Sequence, residues 1–188
     1  MKDKHQERII LGIDPGTSIT GYGVIKTAGT IPMLLAIGSI DLTRHKDHYI
    51  KIRHIFESTL SIIEEYHPDE LAIEAPFYGK NVQSMLKLGR AQGAAIAAAL
   101  SRSLPIFEYA PRKIKMSITG RGAASKEQVA SMLMRILDFG IDDMKLDATD
   151  GLAAALCHFY QTNKPVGEKH FTSWKDFMNK NPKRIKGQ

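Results

Sequence analysis

Apolar residues recur along the chain with periods that indicate alternating strands and helices. Short β-branched runs bounded by glycine-containing turns predict strands, and apolar positions three and four residues apart predict helices. The predicted strands cover residues 8–14, 20–28, 33–42, 70–75 and 105–110. The predicted helices cover residues 47–66 and 81–102, a segment that begins after Ser125, and residues 146–161. The first three strands follow one another directly, which favours an antiparallel meander.

Two of the predicted helices carry local signals of their own. Ser125 followed by Gln128 is a capping-box pattern, and it opens a helix with an apolar stripe suited to a core. In the helix before it, Gly89, Gly93 and Ala97 are four residues apart and therefore share one face. Such a face allows close approach of another backbone. We favour packing on the sheet over contact with a partner helix.

Length and composition are those of one globular domain. The chain has 188 residues, 43% of them hydrophobic, and Cys157 is its single cysteine. The apolar run at residues 94–100 is far shorter than the roughly 20 residues of a membrane span, and the polar N-terminal residues do not resemble a signal peptide. We therefore expect a cytoplasmic protein without a membrane segment. Its domain is expected over residues 1–162, followed by a tail at 163–188 that is either flexible or docked on the domain.

Positive charge is concentrated in the middle of the chain and in the tail. The net charge is +6, and residues 77–126 contain nine lysines and arginines but one acid, Glu108. A run of like charge usually marks a solvated face. A segment of this length with a single acid instead favours a surface that contacts a polyphosphate backbone.

Four acids occupy positions where a carboxylate needs a partner. Asp14 ends the first predicted strand, Glu74 ends the fourth, and Asp147 and Asp150 open the last helix on a common side. A buried unpaired carboxylate is unfavourable by several kcal/mol, and oxygen donors without cysteine or histidine suit Mg²⁺ or Mn²⁺. Each acid also has an ordinary explanation, as a turn residue, a solvated strand end, a helix cap or a first-turn charge. Spacing alone leaves both explanations open.

Four blocks of sequence carry a more specific signal. They read "GIDPGTSITGYGVI", "AIEAPFYGKNVQSMLKLGRAQGAA", "EYAPRKIKMSITGRGAASKEQV" and "DATDGLAAALCHFY". In order and spacing across residues 9–160, they resemble the signatures of RuvC, the bacterial Holliday-junction resolvase family. The resemblance implies a ribonuclease H-like α/β fold, in which helices flank a mixed five-stranded sheet with its first three strands antiparallel.

The resemblance also implies the chemistry. The family's catalytic acids fall on Asp14, Glu74, Asp147 and Asp150, which would hold two Mg²⁺ ions, with Mn²⁺ as a substitute. Some relatives have histidine at the position of Asp147. In a two-metal site, one ion activates the attacking water and the other stabilises the leaving oxygen. The implied function is a structure-selective endonuclease of DNA recombination and repair, which resolves Holliday junctions by paired symmetric incisions and leaves 5′-phosphate and 3′-hydroxyl ends.

Several DNA-contacting residues are implied in the same way. Lys126 matches a family lysine that helps to stabilise the extra charge on the scissile phosphate. Phe77 matches an aromatic residue that stacks on unpaired bases, a contact that contributes roughly 1–3 kcal/mol, although without the motif a core phenylalanine is its ordinary explanation. The other candidate phosphate contacts are Lys80, Arg112, Lys115 and Arg121.

Partners follow from the symmetry of the implied substrate. A four-way junction needs two incisions in opposing strands, and the family meets this need as a homodimer with one active site per subunit. The small-residue face of helix 81–102 is our candidate for part of that interface. The resemblance also implies the RuvA and RuvB branch-migration proteins as partners on the same junction.

Three other functions compete with this one. Kinases of the actin and sugar-kinase class share a similar opening motif, but they need a second phosphate motif and a second lobe. The YqgF group of RNA-processing nucleases shares that motif as well, whereas the "FYGKN" block favours RuvC. The third is a non-catalytic junction-binding protein, and the four acids count against it. A nuclease assay with and without Mg²⁺ separates a resolvase from this non-catalytic protein.

Overall fold

The fold is an α/β sandwich whose five-stranded sheet lies between two helical layers. A computed structural model of the chain describes residues 7–76, 81–140 and 146–163. The strands are β1 (Arg8–Asp14), β2 (Ile19–Ala28), β3 (Ile31–Asp41), β4 (Glu70–Glu74) and β5 (Ile106–Tyr109). The helices are α1 (His48–Tyr66), α2 (Val82–Leu100), α3 (Pro111–Thr119), α4 (Lys126–Leu137) and α5 (Leu146–Thr162).

The sheet has the strand order β3-β2-β1-β4-β5. β2 is antiparallel to both β1 and β3, whereas β4 is parallel to β1 and β5 is parallel to β4. Strands β1, β3, β4 and β5 therefore run in the same direction. Their C-terminal ends all lie at one edge of the sheet, which we call the upper edge. This topology confirms the mixed five-stranded sheet with an antiparallel meander.

Each face of the sheet has its own hydrophobic core. On one face, β1 and β4 contribute Leu11 and Leu71, which pack with Ile55 of α1 and Ala95 of α2. On the other face, α3, α4 and α5 cover the sheet around Ile10, Leu133 and Leu152. Burying each such aliphatic side chain contributes about 1.5–3 kcal/mol.

Helix α5 lies directly on the backbone of β1 and β2. A Cβ atom on Gly12 would lie 2.2 Å from the carbonyl oxygen of Gly151, and one on Gly21 would lie 1.9 Å from that of Asp147. No side chain fits in these spaces, so glycine is required for this helix–sheet contact. The closeness sets the position of the first turn of α5 relative to the end of β1.

A buried polar network holds the other end of α5. His158 is fully buried, with Nδ1 2.6 Å from the Tyr109 hydroxyl and Nε2 2.8 Å from Glu70 Oε2. Arg8 forms an ion pair with Glu70 at 3.1 Å and donates a hydrogen bond to Thr162 Oγ1 at 3.1 Å. The hydrogen bond with His158 is the main reason that the pKa of Glu70 is lowered. The helix is thus tied to β1, β4 and β5 by satisfied polar contacts.

Helix α3 was absent from the sequence prediction. It has Pro111 in its first turn and Gly120 in the left-handed conformation as its C-cap, which are ordinary helix start and stop signals. Only Ile114 and Ile118 are buried, so its apolar pattern is too short to stand out. The capping box predicted at Ser125 and Gln128 is present at the start of α4.

The expected packing of the small-residue face of α2 on the sheet is wrong. Gly93 and Ala97 are exposed, and a Cβ atom on Gly89 or Gly93 would meet nothing within 4 Å. The sheet side of α2 is formed instead by the buried residues Ala91, Ala94, Ala95, Ala98 and Ala99. Because small residues occur on both sides of this helix, the four-residue spacing could not identify the buried side.

Within the described residues, no helix is both long and apolar enough to cross a bilayer.

Candidate active site

Two of the predicted acids lie side by side at the upper edge of the sheet. Asp14 is the last residue of β1 and Glu74 is the last residue of β4. These strands are parallel neighbours, with Ile13 opposite Ile73. Adjacent strands are about 4.8 Å apart, so the two carboxylates leave the sheet close together.

The other two acids come from the first turns of α5. Asp147 and Asp150 are three residues apart and lie on the side of the helix that faces the upper edge. The close contact between Gly21 and the Asp147 carbonyl oxygen places this turn next to the end of β1, because Gly21 pairs with Asp14. Three distant parts of the chain thereby contribute acids to one site.

The electrostatics show how strongly these acids interact. Burial, followed by the charge of Asp150, raises the pKa of Asp14 to about 7. Burial, followed by the charges of Asp14 and Asp150, raises the pKa of Glu74 to about 8. Both shifts have the sign expected for carboxylates that are desolvated and crowded by like charges. Cations near this cluster therefore stabilise the ionised acids.

Lys126 supplies one such cation. Its Nζ donates hydrogen bonds to Asp150 Oδ2 at 2.6 Å and to Asp147 Oδ1 at 3.1 Å. Burial lowers the pKa of Lys126, but the hydrogen bonds and charges of Asp150 and Asp147 outweigh burial and raise the pKa overall. Lys126 is the first residue of α4, so the N-terminus of that helix also faces the acids.

The donor set fits a hard divalent cation, although it is not arranged as a finished cage. Across residues 7–76, 81–140 and 146–163, no group of three or more histidine, cysteine or acidic side chains is positioned to hold a metal ion. In this arrangement Lys126 pairs with both Asp147 and Asp150 and neutralises part of their charge. The raised pKa values of Asp14 and Glu74 nevertheless show a carboxylate cluster that a divalent ion would stabilise.

The predicted DNA-contacting residues have different positions. Arg112 and Arg121 are exposed, on α3 and on the segment before α4. Lys115 donates a hydrogen bond to the carbonyl oxygen of Ala124 at 2.9 Å, and its charge lowers the pKa of Glu74, against the larger opposing effects. Phe77 and Lys80 lie outside the described residues, as does most of the predicted tail.

Two supporting residues were missed by the sequence prediction. Gln92 is buried, and its Nε2 donates hydrogen bonds to Glu108 Oε2 at 2.9 Å and to the Glu74 carbonyl oxygen at 3.4 Å. Thr20 is also buried, and its hydroxyl accepts a hydrogen bond from the Gly16 amide at 3.2 Å in the turn after Asp14. A glutamine within the alanine-rich second half of α2 was the available signal for the first. Nothing local distinguished the second.

Comparison with known proteins shows which family this chain resembles. Residues 10–158 match the family described as crossover junction endodeoxyribonuclease RuvC. A relative of that description from Bacteroides fragilis is 67% identical over 183 residues, covering 96% of this chain and 97% of the relative. Another from Porphyromonas gingivalis is 55% identical over 186 residues, covering 96% of this chain and 98% of the relative.

The fold comparison agrees with the sequence comparison. A solved structure of T. thermophilus RuvC in complex with a Holliday junction substrate superimposes with a TM-score of 0.76 and 27% identity. The superposition covers 83% of this chain and 95% of that chain. A second structure of Thermus thermophilus RuvC gives a TM-score of 0.72 and 29% identity, with 82% and 95% covered.

Proposed function

The chain belongs to the RuvC family of crossover junction endodeoxyribonucleases, and on that premise we propose that it resolves four-way DNA junctions by paired incisions in opposing strands. The relatives that support this function cover nearly the whole chain, and the fold matches that of a family member bound to a junction. The products would be a 5′-phosphate and a 3′-hydroxyl at each nick.

The observation that carries the proposal is the cluster of four acids with Lys126 among them. Asp14, Glu74, Asp147 and Asp150 would hold the divalent cations, and we propose Mg²⁺, with Mn²⁺ as a substitute. When bound, two such cations supply an activated water and a counter-charge for the leaving oxygen. The half-buried position of Asp14 and Glu74 favours the ionised carboxylates as ligands, because bulk water competes less well there.

The chain's own cation has a separate role in the reaction. Hydrolysis forms a bond from water oxygen to phosphorus and breaks the bond from phosphorus to the 3′ oxygen, and the phosphate gains negative charge on the way. Lys126 lies at the acid cluster with its side chain 48% exposed, so its ammonium can contact a phosphate there. We propose that it stabilises this added charge, together with the N-terminus of α4.

The direct test is incubation of a synthetic four-way junction with the protein and Mg²⁺. We expect paired nicks at symmetric positions, and none when Mg²⁺ is omitted. Asp14→Asn should abolish cleavage while binding of the junction stays within about two-fold of wild type, because a ligand for metal is removed without removing a phosphate contact. Glu64→Gln is the matched control, since that acid lies on α1 and pairs with Arg102, away from the site.

The outcomes separate the candidate functions. A wild-type protein that binds the junction but never cuts it, with any divalent metal, would be a junction-binding protein. Cleavage of RNA in preference to the junction would indicate the YqgF-like function. If the Asp14→Asn protein cuts normally, the acid cluster does not take part in cleavage.

We also propose that the protein acts as a homodimer through the exposed face of α2. Val82, Leu86 and Leu100 are 64%, 52% and 59% exposed on this helix, and the small residues Gly93 and Ala97 are exposed between them. A shallow depression of about 370 Å³ is lined by Val82, Met85, Leu86, Gly89 and Arg90. Apolar residues beside small ones allow two copies of a helix to approach closely.

The cellular setting of the reaction follows from the family. We propose that the RuvA and RuvB branch-migration proteins work on the same junction and that the reaction occurs in the cytoplasm. A junction that is first moved by RuvA and RuvB should then be cut at the position where it stops, which a reconstituted assay with labelled strands can show.

A further inference from the structure

We propose that a second basic surface, next to the active site but on the far side of β2, binds phosphates of one junction arm. We call it the edge surface. It is formed by Arg44, Lys46, Tyr49, Lys51 and Arg53, in the connection from β3 to α1 and the first turns of α1. The inference rests on the proposed function, because its ligand is the DNA held at the acid cluster.

The topology places this surface at the upper edge of the sheet. β1 and β3 both run antiparallel to β2, so Asp41 at the end of β3 lies at the same edge as Asp14. The Leu42 amide donates a hydrogen bond to the Ser18 carbonyl oxygen at 2.9 Å, which ties the β3–α1 connection to the turn after Asp14. Lys51 Nζ donates to the Thr17 carbonyl oxygen at 3.0 Å in the same turn.

The separation suits successive phosphates of one duplex. β1 and β3 are two strand spacings apart, which is about 10 Å. Successive base pairs rise about 3.4 Å along the axis of a duplex, so 10 Å of axis corresponds to roughly three base steps. An arm whose scissile phosphate lies at Asp14 can therefore contact the edge surface without bending.

The edge surface is mostly accessible and carries four cations, against three acids in or beside it, Asp41, Asp47 and Glu57. Residues 42–54 contain four lysines and arginines, three histidines and one acid, Asp47. That acid is the N-cap of α1, where its Oδ1 accepts hydrogen bonds from the Tyr49 and Ile50 amides at 2.7 and 3.0 Å. Arg44 and Lys46 are exposed.

Two other residues of the edge surface, Arg53 and Tyr49, are largely exposed to solvent. Arg53 has a side chain that is 69% exposed and lies 3.8 Å from the carboxylate of Glu57. Tyr49 is 74% exposed, so its ring is not part of the core. Tyrosine hydroxyls, like lysines and arginines, donate hydrogen bonds to DNA phosphates. An exposed tyrosine among cations therefore favours a phosphate-binding surface over a merely solvated one.

The two sets of cations lie on opposite sides of the acids. Lys126, Lys115 and Arg121 belong to the face covered by α3, α4 and α5, whereas the edge surface belongs to the β3 edge and to α1. A duplex laid across Asp14 would meet positive charge on both sides. Phosphate contacts of this kind fix the position of DNA without reading its sequence.

The experiment compares two double variants that remove the same charge from different places. Arg44→Ala with Lys46→Ala removes two cations from the edge surface. Arg102→Ala with Arg135→Ala removes two from the opposite end of the fold, where Arg102 pairs with Glu64 and Arg135 lies in the last turn of α4. The affinity of each protein for a synthetic four-way junction is measured over a series of salt concentrations in Ca²⁺ or EDTA, and cleavage is measured in Mg²⁺ at saturating junction.

We expect the edge variant to lose about 1.8 from the slope of log affinity against log salt, because each phosphate contact contributes about 0.9. Its affinity at about 0.1 M salt should fall at least ten-fold. At that salt concentration, the counterion released by each phosphate contact raises the binding constant about eight-fold. The cleavage rate at saturating junction and the unfolding temperature should stay at the wild-type values. The control variant should keep the wild-type slope.

Two results would overturn the edge surface while leaving the proposed function intact. One is an unchanged slope in the edge variant when wild type binds and cuts the junction. The other is an equal loss of slope in both double variants, because the effect would then reflect net charge and not this surface. If wild type neither binds nor cuts four-way junctions, the proposed function fails instead, and the edge surface fails with it.

Discussion

At the end of β1, Asp14 occupies a position where burial and neighbouring charges both oppose its ionisation. Its pKa is raised to about 7, and that of Glu74, at the end of the adjacent strand, to about 8. The sequence identified both residues as acids that need partners. The strength of their interaction depends on Asp150, which is more than 70 residues further along the chain from either, so it could be found only in the fold.

These pKa shifts predict how stability depends on pH without added metal. In the unfolded chain, Asp14 has its usual pKa of 3.8, so between about pH 4 and 7 the native state binds more protons than the unfolded state. The free energy of unfolding should therefore fall as pH rises through that window. Wild type and Asp14→Asn can be compared by urea unfolding from pH 4.5 to 8.5, and the wild-type curve should fall more steeply.

The same shifts predict a pH-dependent effect of Mg²⁺. A cation that binds ionised carboxylates stabilises the native state most where protons compete least, so the rise in unfolding temperature on adding Mg²⁺ should be larger at pH 8 than at pH 5.5. Differential scanning fluorimetry checks this directly, with Glu64→Gln as the control. If Mg²⁺ raises the unfolding temperature equally at both pH values, or raises that of Asp14→Asn as much as that of wild type, the metal binds elsewhere.

Among the helices, α5 connects the core to the site most directly. It begins at the acids, passes over Gly12 and Gly21, and ends at the network around His158. A glycine inside a strand pattern is a signal for close backbone approach, and β1 and β2 carried that signal in the sequence. Which helix made the approach could not be predicted, because it depends on how the layers stack.

The helix–sheet contact predicts a large effect of one methyl group. In Gly12→Ala, the new Cβ would lie 2.2 Å from the Gly151 carbonyl oxygen and 2.5 Å from the Ala155 amide nitrogen, so α5 must shift. We expect a loss of about 1–3 kcal/mol in the free energy of unfolding, together with slower cleavage in the protein that remains folded. Gly140→Ala is the matched control, since its Cβ would meet no atom of the described part of the chain within 4 Å. A fully active, equally stable Gly12→Ala protein would contradict the account of α5.

At the scale of the whole molecule, the proposed dimer would join the edge of the sheet with the acids and the exposed face of α2 into one functional unit. One copy's site would cut one strand, and the site of a second copy would cut the opposing strand. The acids, the basic residues of α3 and α4, and the edge surface all lie toward the upper edge of the sheet.

The proposed dimer predicts that a charge on α2 uncouples the two incisions. Leu86→Arg puts a charged side chain in the exposed apolar face, which should shift the protein toward monomer in sedimentation experiments. With supercoiled plasmids that carry an extruded four-way junction, products with a single nick should then outnumber linear products. Ile31→Arg is the matched control, because Ile31 is 64% exposed on the edge strand β3. If Leu86→Arg stays dimeric with paired incisions, the interface lies elsewhere.

Much of this protein was determined locally and was therefore readable from the sequence. The five strands, four of the five helices and the capping box of α4 follow from periodicity and short-range side-chain chemistry. Asp14, Glu74, Asp147 and Asp150 stand at ends of elements, and the four motif blocks identified their family. Helix α3 was missed because two buried residues, Ile114 and Ile118, make too short an apolar pattern.

The tertiary structure alone decided which of these local features meet. It placed Lys126 between Asp147 and Asp150, left the small-residue face of α2 exposed, and brought the β3–α1 connection to the turn after Asp14. The physical reason is that contacts across the sheet depend on strand order and on close packing of α5 against glycine. Neither quantity is encoded in the spacing of residues along any one element.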